Sequence, residues 1–191
     1  MLLNKQRIFL TVQLISISRA IAGLIFVCIA LREELNFLSI VLFVYACASD
    51  LLDGYLARRY NCTSEPGKVL DLFGDKFLTI AFSLFAIASE MPIIPISFII
   101  FREVFLLSIR TINTDGNPIF KPQRLLGGLT TFPIWLTTFF LLLSVKYVEI
   151  DIYYFKVAYW FCGIFVVLNL AFKLSQSWSR LISEFKNSME D

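Results

Sequence analysis

Four aspartates, Asp50, Asp53, Asp71 and Asp75, stand close together in a chain that is otherwise mostly apolar. A helix advances about 100° per residue. On that geometry Asp50, Asp53, Gly54 and Ala57 share one narrow face of a helix. Gly67, Asp71 and Asp75, spaced four apart, share a face of the next. A short polar turn, Arg59 to Pro66, joins the two. Carboxylates paired at i,i+3 on one helix and i,i+4 on its neighbour suit two hard divalent cations about 4 Å apart, which could clamp a pyrophosphate and polarise its phosphorus. Gly54, Ala57 and Gly67 add no bulk to these faces, so a nucleotide could approach both backbones closely. Arg58 beside the acids has two readings, a structural salt bridge or a phosphate contact, and its fixed spacing from Asp53 and Gly54 favours the second.

The elements that must position these residues are apolar. Of 191 residues, 58% are hydrophobic and 17% charged, a balance that a water-soluble domain of this length could not bury. The chain is expected to be all-α: a single-domain polytopic membrane protein embedded in the lipid bilayer. Acids at membrane depth are costly unless something neutralises them, which again points to cations. The sequence has no histidine, which excludes Ser-His and Cys-His catalysis and histidine-ligated zinc. Cys28, Cys47, Cys62 and Cys162 form no C-x-x-C pair and read as small reduced core residues.

Six apolar segments, about 8–31, 37–56, 69–89, 92–112, 126–145 and 152–172, approach the ~20 residues that cross a bilayer core. With the N-terminus inside, the inner segments hold Lys5, Arg7, Arg58, Arg59, Lys68, Arg110, Lys121, Arg124, Lys173, Arg180 and Lys186. The outer loops hold only Arg32 and Lys146, beside Glu33, Glu34, Glu90, Glu149 and Asp151. The excess of inner positive charge predicts that both termini and the aspartates face the cytoplasm. Residues 173–191 are expected to form a cytoplasmic tail that lies on the membrane surface or extends the last helix. Arg19, in the middle of the first span, reads either as a functional residue or as a structural one that snorkels or pairs. Lys76, one residue round the helix from Asp75, reads as structural.

The pattern D-x2-D-G-x2-A-R-x8-G-x3-D-x3-D, met at every fixed position by Asp50, Asp53, Gly54, Ala57, Arg58, Gly67, Asp71 and Asp75, resembles the signature of the CDP-alcohol phosphotransferases. That resemblance implies integral membrane enzymes of phospholipid synthesis, with two Mg²⁺ or Mn²⁺ ions held by Asp50, Asp53 and Asp71, and in part of the family also by Asp75. It implies that Asp75 is the general base and that Asp53, Gly54, Ala57, Arg58 and Gly67 meet a CDP-lipid. It also implies CDP-diacylglycerol as donor, CMP as leaving group and a homodimer in the inner membrane. No nucleic-acid partner is implied.

The run FREVFLLSIR, with Arg102, Glu103 and Arg110, resembles the R-E-x6-R stretch of bacterial phosphatidylglycerophosphate synthases. Where those enzymes often continue with G-K-x-K-T, this chain has Gly127-Gly128-Leu129-Thr130-Thr131. Arg110, Lys121 and Arg124 read either as positive-inside charge near lipid headgroups or as a pocket for a phosphate on the acceptor. The expected acceptor is sn-glycerol 3-phosphate. Phosphatidylglycerol, inositol phosphate and serine are the alternatives within the class; a cation transporter or non-catalytic metal-binding membrane protein is the alternative outside it.

Overall fold

The computed structural model describes residues 2–32, 37–60, 65–111 and 124–190. Among these the chain forms six helices and no strand: α1 Leu2–Leu31, α2 Phe37–Tyr60, α3 Glu65–Ala88, α4 Ile93–Thr111, α5 Arg124–Lys146 and α6 Ile152–Glu190. The helices coincide with the apolar runs in order and number. Two boundaries differ, and the tail takes one of its two expected courses. α1 is continuous from residue 2 rather than from residue 8. The link between α2 and α3 is shorter than Arg59 to Pro66, because the helices reach Tyr60 and restart at Glu65. Residues 173–190 continue α6 without a break, since Lys, Glu, Gln, Leu and Ser offer nothing that stops a helix.

Local chemistry sets several ends. The α3 terminus carries the paired bonds of a Schellman motif, with the Met91 amide donating to the Ala86 carbonyl at 3.1 Å and the Glu90 amide to Ile87 at 3.0 Å. Glu90 sits at φ 61°, the left-handed position that glycine usually occupies. At the start of α6 the Asp151 carboxylate accepts from the Tyr153 amide at 2.9 Å. This makes an N-cap of a residue that the sequence offered only as loop charge.

α1 packs along both α2 and α3; α4 lies against α3 and α6; α5 lies against α6 and α3 and touches α2. The first four of these elements to meet, α1, α2, α3 and α5, converge on an aromatic hub. Phe26 meets Phe82 and Phe85 edge-on at 5.4 Å each, and Trp135 meets Phe82 at 5.9 Å. Phe43 of α2 stacks on Phe82 of α3 with centroids 4.2 Å apart. Burial of these rings and their offset or edge-on geometry favours this packing over a loose apolar slide. α4 and α6 meet closely where Gly163 lies under Pro95; a Cβ added there would come within 2.5 Å of the Pro95 Cβ and 2.9 Å of its Cα.

Polarity runs from outside to inside. Large apolar side chains face outward on α1 and α6, including Leu14, Ile21, Leu24, Phe161, Ile164 and Leu168, whereas Ser16, Arg19, Ser39, Ser49, Arg102, Glu103, Thr130 and Thr138 are buried. Among the described residues, two helices hold apolar stretches long enough to cross a membrane, Leu14–Leu31 in α1 and Ile152–Gln176 in α6. Shorter apolar stretches occupy Phe37–Ser49, Lys76–Ala88 and Leu129–Val145.

Candidate active site

The aspartates fall in the last part of α2 and the first part of α3. Contacts along α1 fix the relative direction of these helices. Toward its C-terminal end Phe26 meets Phe43, Phe82 and Phe85. Nearer its start the Ser18 and Tyr45 hydroxyls share a 2.7 Å hydrogen bond, while Arg19 lies beside Gly74. α3 therefore runs parallel to α1, and α2 runs against both.

The Phe43–Phe82 stack then sets the register. Asp50 lies seven residues after Phe43, and Asp75 seven residues before Phe82. Seven residues are close to two full turns, a rise of about 10 Å with a drift of about 20°. Asp50 and Asp75 thus stand at one level along the bundle, on the helix faces that carry the two stacked rings. Asp53 and Asp71 stand about one turn further, nearly level with each other. The side chains of all four lie outside the described residues, as do those of Gly54, Ala57, Arg58 and Gly67, whose backbones belong to α2 and α3. Among the described side chains, no group of three or more His, Cys, Asp or Glu gathers to hold a metal ion.

Two sets of described side chains surround this stretch of α3. On the α1 side Arg19 is fully buried. Its guanidinium lies so close to the α3 backbone that a Cβ at Gly74 would sit 3.1 Å from Nη2 and 3.3 Å from Nε. Of the readings of Arg19, burial rules out a side chain that snorkels to the surface. On the opposite side Lys76 donates from Nζ to Glu103 Oε2 of α4. Arg102 Nη1 donates to Glu103 Oε1, and Arg102 Nη2 donates to the Thr130 hydroxyl of α5 at 2.8 Å. Sequence reasoning had placed Arg102 and Glu103 in a basic stretch and had left Lys76 without a partner. A lysine in an apolar helix needs a buried acid, and Glu103 is the only acid of the next apolar segment; that signal was available.

With the short link between Ala88 and Ile93, the Lys76–Glu103 pair sets α4 antiparallel to α3. Arg110, seven residues beyond Glu103 in the last turn of α4, therefore stands about 10 Å nearer the aspartate end of the bundle than Glu103. Arg124 opens α5 six residues before Thr130, which brings it toward the same end. The side chains of Arg110 and Arg124 lie outside the described residues, as does Lys121 entirely.

A bundle of apolar helices with acids on two facing, antiparallel members defines a class, and comparison with known families agrees. The CDP-alcohol phosphatidyltransferase family matches residues 9–174. The chain belongs to that family. It is similar to a CDP-diacylglycerol–glycerol-3-phosphate 3-phosphatidyltransferase of Cereibacter sphaeroides, 33% identical over 104 residues, covering 52% of this chain and 47% of the relative. It is similar to the enzyme of the same name from Bacillus subtilis, 26% identical over 143 residues and 74% of each chain. A cardiolipin synthase (CMP-forming)/mitochondrial hydrolase fusion protein of Schizosaccharomyces pombe is 42% identical over 67 residues, 35% of this chain and 11% of that protein. The matched parts thus span about half of the first of these relatives and about a tenth of the last. No solved structure matches the chain.

Proposed function

We propose that this chain is a phosphatidyltransferase of the cytoplasmic (inner) membrane, with six spans in one domain, both termini inside, and the aspartates at the cytoplasmic end. It moves the phosphatidyl group of CDP-diacylglycerol to sn-glycerol 3-phosphate, releasing CMP and forming phosphatidylglycerophosphate. The register of α2 against α3 carries this reading: the full aspartate signature lies on antiparallel helices, with its acids in level pairs. Buried charges beneath an apolar exterior support a lipid setting, because only internally satisfied polar groups are tolerated there.

Four carboxylates paired on facing helices fit two hard divalent cations by donor type and charge. Asp50, Asp53, Asp71 and Asp75 would hold Mg²⁺ or Mn²⁺, which when bound neutralise the pyrophosphate and polarise the reacting phosphorus. Asp53, Gly54, Ala57, Arg58 and Gly67 would seat the CDP head, with Arg58 on a phosphate and the small residues admitting the nucleotide. Asp75 takes the proton from the acceptor hydroxyl as that oxygen attacks the lipid-side phosphorus. The bond to the bridging oxygen breaks, and CMP leaves with its electrons. Arg110 and Arg124, brought toward the aspartate end, would hold the acceptor's own phosphate together with Lys121. The reading extends to a homodimer, as the resemblance implies.

Phosphatidylglycerol as acceptor, giving cardiolipin, is a second reading with one observation behind it, the short similarity to the fission-yeast fusion protein. An acceptor screen separates the two. Purified protein, CDP-diacylglycerol and Mg²⁺ or Mn²⁺ are incubated with glycerol 3-phosphate, inositol phosphate, inositol, serine or phosphatidylglycerol, and CMP is measured. Turnover with glycerol 3-phosphate alone is expected. Turnover only with another acceptor reassigns the product, and CMP release with none, alongside ion flux in sealed vesicles, replaces the enzyme with a transporter.

A further inference from the structure

The buried chain of charges from α3 to α5 has no part in the chemistry above. Glu103 is fully buried, Arg102 is 1% exposed, and Lys76 is 16% exposed at its side chain. Replacing such a network with apolar groups of similar volume is often neutral or stabilising, so stability alone is a poor account of it. Its place in the fold offers a better one. Lys76 follows Asp75 directly in sequence and holds α3 to α4 through Glu103. Arg102 carries the link to Thr130 on α5. On the other side of α3, Gly74 lets the buried Arg19 press against the helix backbone. The turn made of residues 74–76, with Asp75 at its centre, is thus gripped by α1 on one side and by α4 and α5 on the other.

A helix held at one residue is fixed in rotation and in height, because each residue corresponds to about 100° and 1.5 Å. We infer that Lys76, Glu103, Arg102 and Thr130 act as positioning residues that hold the Asp71–Asp75 stretch of α3 at the height and rotation where its carboxylates meet those of α2. This inference rests on the proposed role of those aspartates as metal ligands. Asp50 and Asp53 are set against α3 by the Phe43–Phe82 stack, whereas the ionic network holds α3 itself against α4 and α5.

The test reads metal binding apart from turnover. Mn²⁺ binding to the full-length protein in lipid nanodiscs, with no substrate, is followed by the loss of the free-ion electron paramagnetic resonance signal. Thermal unfolding is measured on the same samples. Glu103→Gln and Lys76→Met are expected to weaken Mn²⁺ binding at least about tenfold, the lower end of what loss of an outer partner costs a metal site. Lys76→Arg, which keeps the ion pair, is expected to restore binding to within a few-fold. Thr130→Val, which removes only the outermost link, is expected to have a smaller effect in the same direction and serves if Glu103→Gln does not fold. Variants that melt lower but bind Mn²⁺ as the unaltered protein does would reduce the network to plain structure and overturn the inference. Failure of the unaltered protein to bind Mn²⁺ would instead overturn the metal reading of the aspartates.

Discussion

At the residue scale, the proposed chemistry asks of Asp75 what it does not ask of its neighbours, to act as the base. It stands level with Asp50 of α2, and it is the last acid of its stripe. Asp75→Asn keeps the shape and removes the base, so turnover should fall by about 10²–10⁴-fold, the usual contribution of a positioned base. Binding of CDP-diacylglycerol, followed separately by equilibrium titration, should survive; unchanged turnover would remove the assignment. The basic residues make a different claim. If Arg110 and Lys121 bind the acceptor's phosphate, Arg110→Ala and Lys121→Ala should raise the KM for glycerol 3-phosphate and leave the KM for CDP-diacylglycerol nearly unchanged. Equal effects on both constants would return these residues to the headgroup layer.

At the scale of the elements, two features of the helices give opposite signs on mutation. Glu90 ends α3 at φ 61°, where a side chain costs roughly 1–2 kcal/mol that glycine does not. Glu90→Gly should therefore raise the unfolding temperature. Gly163 lies within α6, and alanine there would ordinarily stabilise a helix. Here the new Cβ would lie 2.5 Å from that of Pro95, so Gly163→Ala should cost about 1–3 kcal/mol, typical of overpacking. Thermal unfolding in detergent reads both signs. The same elements mark what the sequence revealed. Helix number and order were legible because apolar runs of near-span length have few other outcomes. Cap chemistry was less so: Asp151 stood among outer charges and gave no sign of closing onto Tyr153. Lys76 read as structural and proves so, but its partner lies 27 residues away; Glu103 was legible as the lone acid of the next apolar segment, and only tertiary packing shows the contact. The candidate site was legible as a motif, but the level pairing of its acids depends on the Phe43–Phe82 stack, which no spacing within the motif announces.

At the scale of the whole molecule, charge and hydropathy work together. The apolar exterior and buried ionic interior suit a lipid solvent, and the proposed direction rests on the loop charges. α6, with 39 residues, would be about 58 Å long against a bilayer core of ~30 Å, so a large part of it must leave the hydrocarbon. In the proposed orientation that part lies in the cytoplasm. In a chain with its four cysteines replaced by alanine, a cysteine introduced at Glu149 should react with a membrane-impermeant thiol reagent applied to intact spheroplasts. One introduced at Glu184 should react only after the membrane is opened. The reverse pattern would invert the bundle and turn the aspartates away from cytoplasmic substrates.

The equal seven-residue intervals, Phe43 to Asp50 and Asp75 to Phe82, also limit how the gene can change in length. One codon inserted in either interval would turn the acid away by about 100°, while every residue type stayed the same. A codon added within the stretch encoding residues 61–64 would leave both intervals intact. Tolerance to insertion should therefore rise sharply at that link and fall on both sides of it, a pattern that an insertion scan scored by growth would trace without any knowledge of the substrate.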